Sequence, residues 1–172
     1  MQFLILGMLL LAPMSLYDVH KQFAGGASLF YSASFGSIQR ALARLAADGF
    51  VVVHEEARSA RRRKVHVPTE AGIAAWRAWM LSPPEGADVE RVMLARVYLL
   101  GLLPDDADRR EVIDVLIRNV TASIADLEAV DAGLRTQEVP PEYAEIFRHQ
   151  RATLDYGLRS HRLALAWLSD LR

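Results

Sequence analysis

Phe50-Val51-Val52-Val53-His54, then Arg58-Ser59-Ala60-Arg61-Arg62-Arg63-Lys64, then Val65-His66-Val67: these three pieces, in this order, decide the fold. The outer two are β-branched runs of strand length, and the second alternates as a half-buried strand does. Between them lie five cations in seven positions. The spacing therefore predicts a β-hairpin with a basic tip. Protecting a hairpin edge from self-association takes one or two charges. Arg58, Arg61, Arg62, Arg63 and Lys64 together point instead to contact with phosphate.

Upstream, Ser34 to Leu45 reads as a short amphipathic helix. Ile38, Leu42 and Leu45 recur at four and three residues, one buried stripe, and Asp48-Gly49 closes it. Its outer face carries Gln39, Arg40 and Arg44. Gly36 lets backbone approach a phosphate near the helix start, where Ser34 and Ser37 add hydroxyls and free N–H groups point outward. Gln39 has the donor and acceptor pair that suits adenine, and Arg40 or Arg44 can bond bidentately to guanine. Helix, strand, basic tip, strand is the order of a winged helix-turn-helix, and the residues expected to meet DNA are Ser34, Gly36, Ser37, Gln39, Arg40, Arg44, Arg58, Arg61, Arg62, Arg63 and Lys64.

Working outward, Phe3 to Ala12 is apolar and stops at Pro13. It lacks the cationic start and cleavage site of a signal peptide, and about ten apolar residues fall short of the roughly 20 that span a bilayer. A buried first helix is expected. Ser15 is placed to cap a second helix, with Tyr17, Val19 and Phe23 as its apolar contacts and Gly25-Gly26 as its end. After the hairpin, Thr69 caps a fourth helix in which Ile73, Trp76 and Met80 share a face and Trp79 widens it.

Pro83-Pro84-Glu85-Gly86 cannot continue a helix and is taken as the domain boundary, giving a head over residues 1–82 and a second domain over 83–172. Up to Ser82 there are 9 Lys and Arg against 5 Asp and Glu; beyond it, 11 against 16. A net charge of −1 thus hides a basic head of +4 and an acidic remainder of −5, a segregation that fits nucleic-acid contact at one end. The absence of cysteine from the 172 residues excludes disulfides and thiolate metal sites and fits a cytoplasmic location.

The acidic part reads as helix throughout. Ile113, Leu116, Val120, Ser123, Leu127, Val130 and Leu134 alternate spacings of three and four over nearly thirty residues, or roughly 44 Å of helix. A stripe that long needs a long partner, and the last helix, with Phe147, Leu154, Leu158, Leu165 and Leu168, is joined to it through Glu138-Val139-Pro140-Pro141. An antiparallel hairpin follows. Its surplus apolar surface predicts a homodimer, with Ile113, Leu116, Val120, Leu127, Phe147, Leu154, Leu158, Leu165 and Leu168 as the expected contact set. Gln150, Gly157 and His161 fall near the inner face of the last helix, with Trp167 further on; a polar residue or glycine within an apolar seam can fix register, or Gln150, His161 and Trp167 can line a pocket for a small-molecule effector.

No G-x-S-x-G, H-E-x-x-H or phosphate-loop pattern occurs, and the five histidines show no metal-ligand spacing. Neither an enzyme nor a cofactor or metal site is expected. Two functions stay open on the residues alone: a dimeric regulator that binds double-stranded DNA, and a helical interaction or ligand-sensing module that keeps the head for protein contact.

The chain resembles the PadR-like transcriptional regulators. The resemblance rests on Ile5-Leu6-Gly7-Met8-Leu9, Pro13-Met14-Ser15-Leu16-Tyr17-Asp18, Ser32-Ala33-Ser34-Phe35-Gly36-Ser37-Ile38, Leu42-Ala43-Arg44-Leu45-Ala46-Ala47-Asp48-Gly49 and Lys64-Val65-His66-Val67-Pro68-Thr69-Glu70-Ala71-Gly72. By length and pattern, the helical half looks like the longer members of the group, similar to a virulence activator, which dimerise through antiparallel helical hairpins. The resemblance implies a mainly α, dimeric winged-helix regulator, often a repressor, whose third helix enters the major groove of an operator, commonly an inverted repeat. Members commonly carry Tyr-Pro where this chain has Gln39-Arg40. The operator sequence therefore does not transfer from relatives.

Overall fold

A computed structural model of the protein describes residues 1–56, 63–84 and 88–172. The chain is mainly helical, with one two-stranded antiparallel sheet following an N-terminal three-helix segment. It divides into two compact units, Met1–Val112 and Ile113–Arg172.

In the first unit, α1 (Gln2–Leu11) is apolar on all sides, and its residues from Leu4 to Leu9 are all buried, as expected of a helix with no polar face. Around it pack α3 (Phe35–Ala47), α4 (Glu70–Leu81), α5 (Val89–Leu99) and the sheet. The second helix, α2 (Leu16–Gly25), starts on a capping box: the Ser15 side chain accepts from the Asp18 N–H, and the Asp18 carboxylate accepts from the Ser15 N–H at 2.8 Å. Each satisfies an end donor that the helix leaves unpaired. Val19 and Phe23 of α2 are buried as expected, but Tyr17 is 68% exposed. The helix is too narrow in its apolar face to bury a residue two positions from Val19, because a step of two turns the side chain through about 200°.

The sheet pairs β1 (Val51–Glu56) with β2 (Arg63–Pro68) in the register Val51 to Pro68 through Glu56 to Arg63. Val51 and Val65 face the core. In α4, Trp76 and Met80 are buried, while Ile73 is 47% exposed; the inward position in that first turn belongs to Gly72, which lies against the Phe50 carbonyl.

The first unit does not stop at the prolines. Arg96 of α5 is only 1% exposed. Its guanidinium donates to the Ser82 carbonyl at the end of α4 and to Ser82 Oγ at 3.3 Å, and stacks over the Trp79 ring at 5.0 Å. Trp79 in turn stacks on Phe3 of α1 at 5.4 Å. Burial pulls the Arg96 pKa down to about 10. The compact unit therefore includes α5, which docks on α1 and on the C-terminal end of α4, and runs past residues 83–86 to Val112.

The second unit consists of the greater part of α6 (Asp106–Arg135) and α7 (Ala144–Asp170), the latter entered through a short 3-10 turn at Pro141–Tyr143. Asp114 meets Arg172, Glu128 meets Arg162 and Asp131 meets Arg151. As the first number rises the second falls, which makes the two helices an antiparallel hairpin. No helix among the described residues is long and apolar enough to cross a membrane.

Candidate nucleic-acid interface

The N-terminus of α3 is built by serine. Ser34 Oγ accepts from the Ser37 N–H at 3.2 Å, and Ser37 Oγ donates to the Ser34 carbonyl at 2.7 Å. This reciprocal cap fixes where the helix begins. Ile38, Ala41, Leu42 and Leu45 are buried, and Gln39, Arg40, Ala43 and Arg44 face solvent. A side chain added at Gly36 would meet only Arg40 Nη1, at 3.6 Å. The protein's own packing thus leaves the space above Gly36 open, and the Arg40 guanidinium reaches back over the first turn. Cation and helix N-terminus together favour an anion at this place. Arg44 pairs with Asp48 at 3.0 Å, with 68% of its side chain exposed; an i,i+4 pair of this kind is worth about 0.3–0.5 kcal/mol and is easily given up to another acceptor.

The wing is set against α3 by a short chain of hydrogen bonds. Gly49 closes α3 at φ +74°, a left-handed conformation that favours glycine. Thr69 Oγ1 donates to the Gly49 carbonyl at 2.7 Å, and the Thr69 N–H donates to the Phe50 carbonyl at 3.0 Å. Thr69 also caps α4 by accepting from the Gly72 N–H at 3.0 Å. One residue thereby joins the end of α3, the start of β1 and the start of α4.

Of the basic tip, Arg58, Arg61 and Arg62 lie outside the described residues. Lys64 is exposed on β2, in register with Glu55. Arg63 is also exposed, but it is engaged: its guanidinium forms an ion pair with Asp18 of α2. Burial pushes the Asp18 carboxyl up, and the Ser15 hydrogen bonds with the Arg63 pair outweigh it, leaving the group below its usual value. The strand stem carries Glu55 and Glu56 against Arg63 and Lys64, so the surplus positive charge of the hairpin belongs to Arg58, Arg61 and Arg62. Sequence reading missed Asp18 as a partner of the wing, since the two residues are 45 apart.

In the second unit, Ile113, Leu116, Val120, Leu158 and Leu168 are buried within a single chain, and Leu127, Phe147, Leu154 and Leu165 are half-buried. The first five fill the chain's own interior. The apolar side chains left outside include Tyr156 at 75% and Leu163 at 72% exposure, together with Val130, Tyr143 and Ile146. Gln150 borders a shallow recess of about 270 Å³ with Val139, Pro140, Tyr143 and Phe147. His161 lies 2.8 Å from the Gly157 carbonyl through Nδ1. Because α7 is continuous, Gln150 and Trp167 are about 26 Å apart along its axis.

No protein-family model matches the chain, and no curated protein matches it. Among solved structures the chain is similar to Bacillus subtilis PadR in complex with operator DNA, at 19% identity over 99% of this chain and 96% of that one, with a TM-score of 0.45. It is similar to the PadR-like transcriptional regulator BC1756 from Bacillus cereus, at 23% identity over 99% of each chain, with a TM-score of 0.43. It is also similar to the Vibrio cholerae virulence activator AphA, at 21% identity over 98% of this chain and 94% of that one, with a TM-score of 0.43.

Proposed function

We propose that the protein is a sequence-specific, DNA-binding transcriptional regulator of the PadR-like kind, acting as a homodimer and most simply as a repressor. The observation that carries this reading is the placement of α3. Its buried face is complete, its outer face presents Gln39, Arg40 and Arg44, and Thr69 and Gly49 fix its end to the hairpin that bears the basic tip. A helix of 13 residues is about 20 Å long and fits the major groove, which admits one α-helix.

The division of labour follows from chemistry. Arg58, Arg61, Arg62 and Lys64 hold phosphates and so supply affinity without sequence information; Gln39, Arg40 and Arg44 supply the base contacts. Ser34, Gly36 and Ser37 receive a phosphate at the start of α3. The exposed apolar residues of the second unit, Val130, Tyr143, Ile146, Tyr156 and Leu163, suit contact with a second copy better than the five buried ones. This reading requires no cofactor, no catalytic step and no effector, and places the protein in the cytoplasm with the DNA.

The test uses the full chain and a selection from genomic fragments at fixed salt. The reading predicts a consensus with inverted half-sites, the signature of a two-fold dimer. Arg61 and Arg62 changed together to alanine weaken all duplexes alike, whereas Gln39→Ala alters the order of preference among them. Unchanged binding in both variants contradicts the assignment.

A further inference from the structure

Arg63 stands at the base of the wing, yet the partner it holds is within the protein. Its guanidinium Nη2 donates to Oδ2 of Asp18, the same oxygen that accepts from the Ser15 N–H at 2.8 Å and from Ser15 Oγ at 2.7 Å. One carboxylate thus serves both the cap of α2 and the stem of the wing. Beside it, Met14 and His66 exchange backbone hydrogen bonds of 3.4 and 2.8 Å, an isolated antiparallel bridge outside the two-stranded ladder. His66 Nδ1 lies a further 3.2 Å from the Met14 carbonyl. Residues 14–18 and 63–66 are therefore joined by two backbone hydrogen bonds and one ion pair, all on the segment that enters α2.

We infer that Arg63 is a positioning residue for the wing rather than a phosphate contact, and that Asp18 is its anchor. This deepens the DNA-binding reading and rests on it. A guanidinium already held by a carboxylate brings little net charge to a duplex, and Asp18 beside it repels phosphate. What the pair does is fix the direction in which β2 leaves the body of the first unit, and with it the reach of Arg58, Arg61 and Arg62. A hairpin held only at its own two strands can swing, because a two-stranded ribbon is marginal without further packing. The Met14 bridge and the Asp18 pair give it a third line of attachment.

The two roles predict opposite signs for one substitution. Asp18→Asn keeps an oxygen acceptor for the Ser15 N–H, so the cap of α2 survives, but removes the charge that holds Arg63. Were Arg63 a phosphate ligand, freeing it and deleting a nearby negative charge would tighten DNA binding. As a positioning residue, its release loosens the wing, and affinity falls by up to about fivefold, the scale of a partly exposed ion pair. Arg63→Ala should fall by a similar factor, and the double variant no further, since either change alone breaks the pair. The slope of log K against log salt separates the roles a second time. It stays unchanged in Arg63→Ala under the positioning role, whereas loss of a phosphate contact makes it shallower by about 0.9 per contact.

The experiment measures affinity and salt slope for the wild type and the three variants on one selected duplex, together with amide hydrogen exchange of β2 in the free protein. Faster exchange at Val65 and Val67, weaker binding in Asp18→Asn and an unchanged slope in Arg63→Ala support the inference. Tighter binding in Asp18→Asn, or a slope reduced in Arg63→Ala, overturns it. If the wild type binds no duplex, the DNA-binding reading fails by itself, and the exchange data still decide whether the pair anchors the wing: unchanged exchange at Val65 and Val67 in both single variants shows that it does not.

Discussion

Gly72→Ala should destabilise the protein by about 2 kcal/mol, although alanine is the better helix former. A Cβ built on Gly72 falls 2.1 Å from the Phe50 carbonyl oxygen and 2.9 Å from its carbon. The oxygen belongs to backbone and accepts the Thr69 N–H at 3.0 Å, so it has no rotamer through which to escape. Relieving the clash requires α4 and the start of β1 to separate by roughly 1 Å, which carries an overpacking cost of about 1–3 kcal/mol. That movement also stretches the Thr69 to Phe50 hydrogen bond, worth about 1 kcal/mol. Helix propensity returns about 1 kcal/mol, and the balance is about 2 kcal/mol of net loss. Urea unfolding reads the effect as a lower midpoint at unchanged m. Thermal unfolding reads it as a fall of roughly 4–8 °C in Tm for a chain of this size. An unchanged or raised midpoint would refute the close approach of α4 to Phe50, and with it the account of how the wing is set against α3.

Other outcomes follow from the same geometry. Gly133→Ala, on an exposed turn of α6 where nothing lies within 4 Å of an added Cβ, should raise the urea midpoint by up to about 1 kcal/mol of stability, the opposite sign to Gly72. Ser34→Ala removes the acceptor that caps α3 and should lower stability by about 1 kcal/mol, while Ser34→Gly should lower it by only a few tenths. Because the Asp18 carboxyl is held below its usual value, its stabilisation is present above the unfolded-state pKa of about 3.9 and is lost as pH falls through the lower folded value. The Tm advantage of the wild type over Asp18→Asn should therefore be full at pH 6 and vanish on acidification below about pH 4; an advantage that persists in acid would exclude the charge as its source.

Local chemistry was readable from the sequence wherever a single residue type enforces a conformation. Ser15 and Thr69 cap the helices expected of them, and Gly49 ends α3 with a positive φ, while Ser34, read only as a hydroxyl donor to phosphate, also caps α3. The strands and their order followed from β-branched runs on either side of a charged tip. Periodicity was less decisive where a helix face is narrow. Tyr17 and Ile73 sit beside buried positions and are apolar, yet both are exposed, since an apolar side chain at a face's edge has no signal of its own in the sequence. The interaction of Asp18 with Arg63 was not legible, because nothing local links residues 45 apart. Arg96 was equally silent: a cation in an amphipathic helix reads as a solvent contact until the ring of Trp79 and the carbonyl of Ser82 are placed around it. In the second unit the antiparallel hairpin was readable from two long stripes and a short connection. The division between side chains that fill one chain and those left for another was not, since both are apolar at the same spacing.

Salt dependence tests the central claim most directly. With three of Arg58, Arg61, Arg62 and Lys64 on phosphates in each wing of a dimer, the six contacts should make log K for the selected inverted repeat fall with log salt at a slope near −5, from about −0.9 per contact. The same slope should be found for a scrambled duplex bound more weakly, because phosphates carry no sequence. A slope near zero, or equal affinity for the selected and scrambled duplexes, would contradict a sequence-specific DNA-binding regulator.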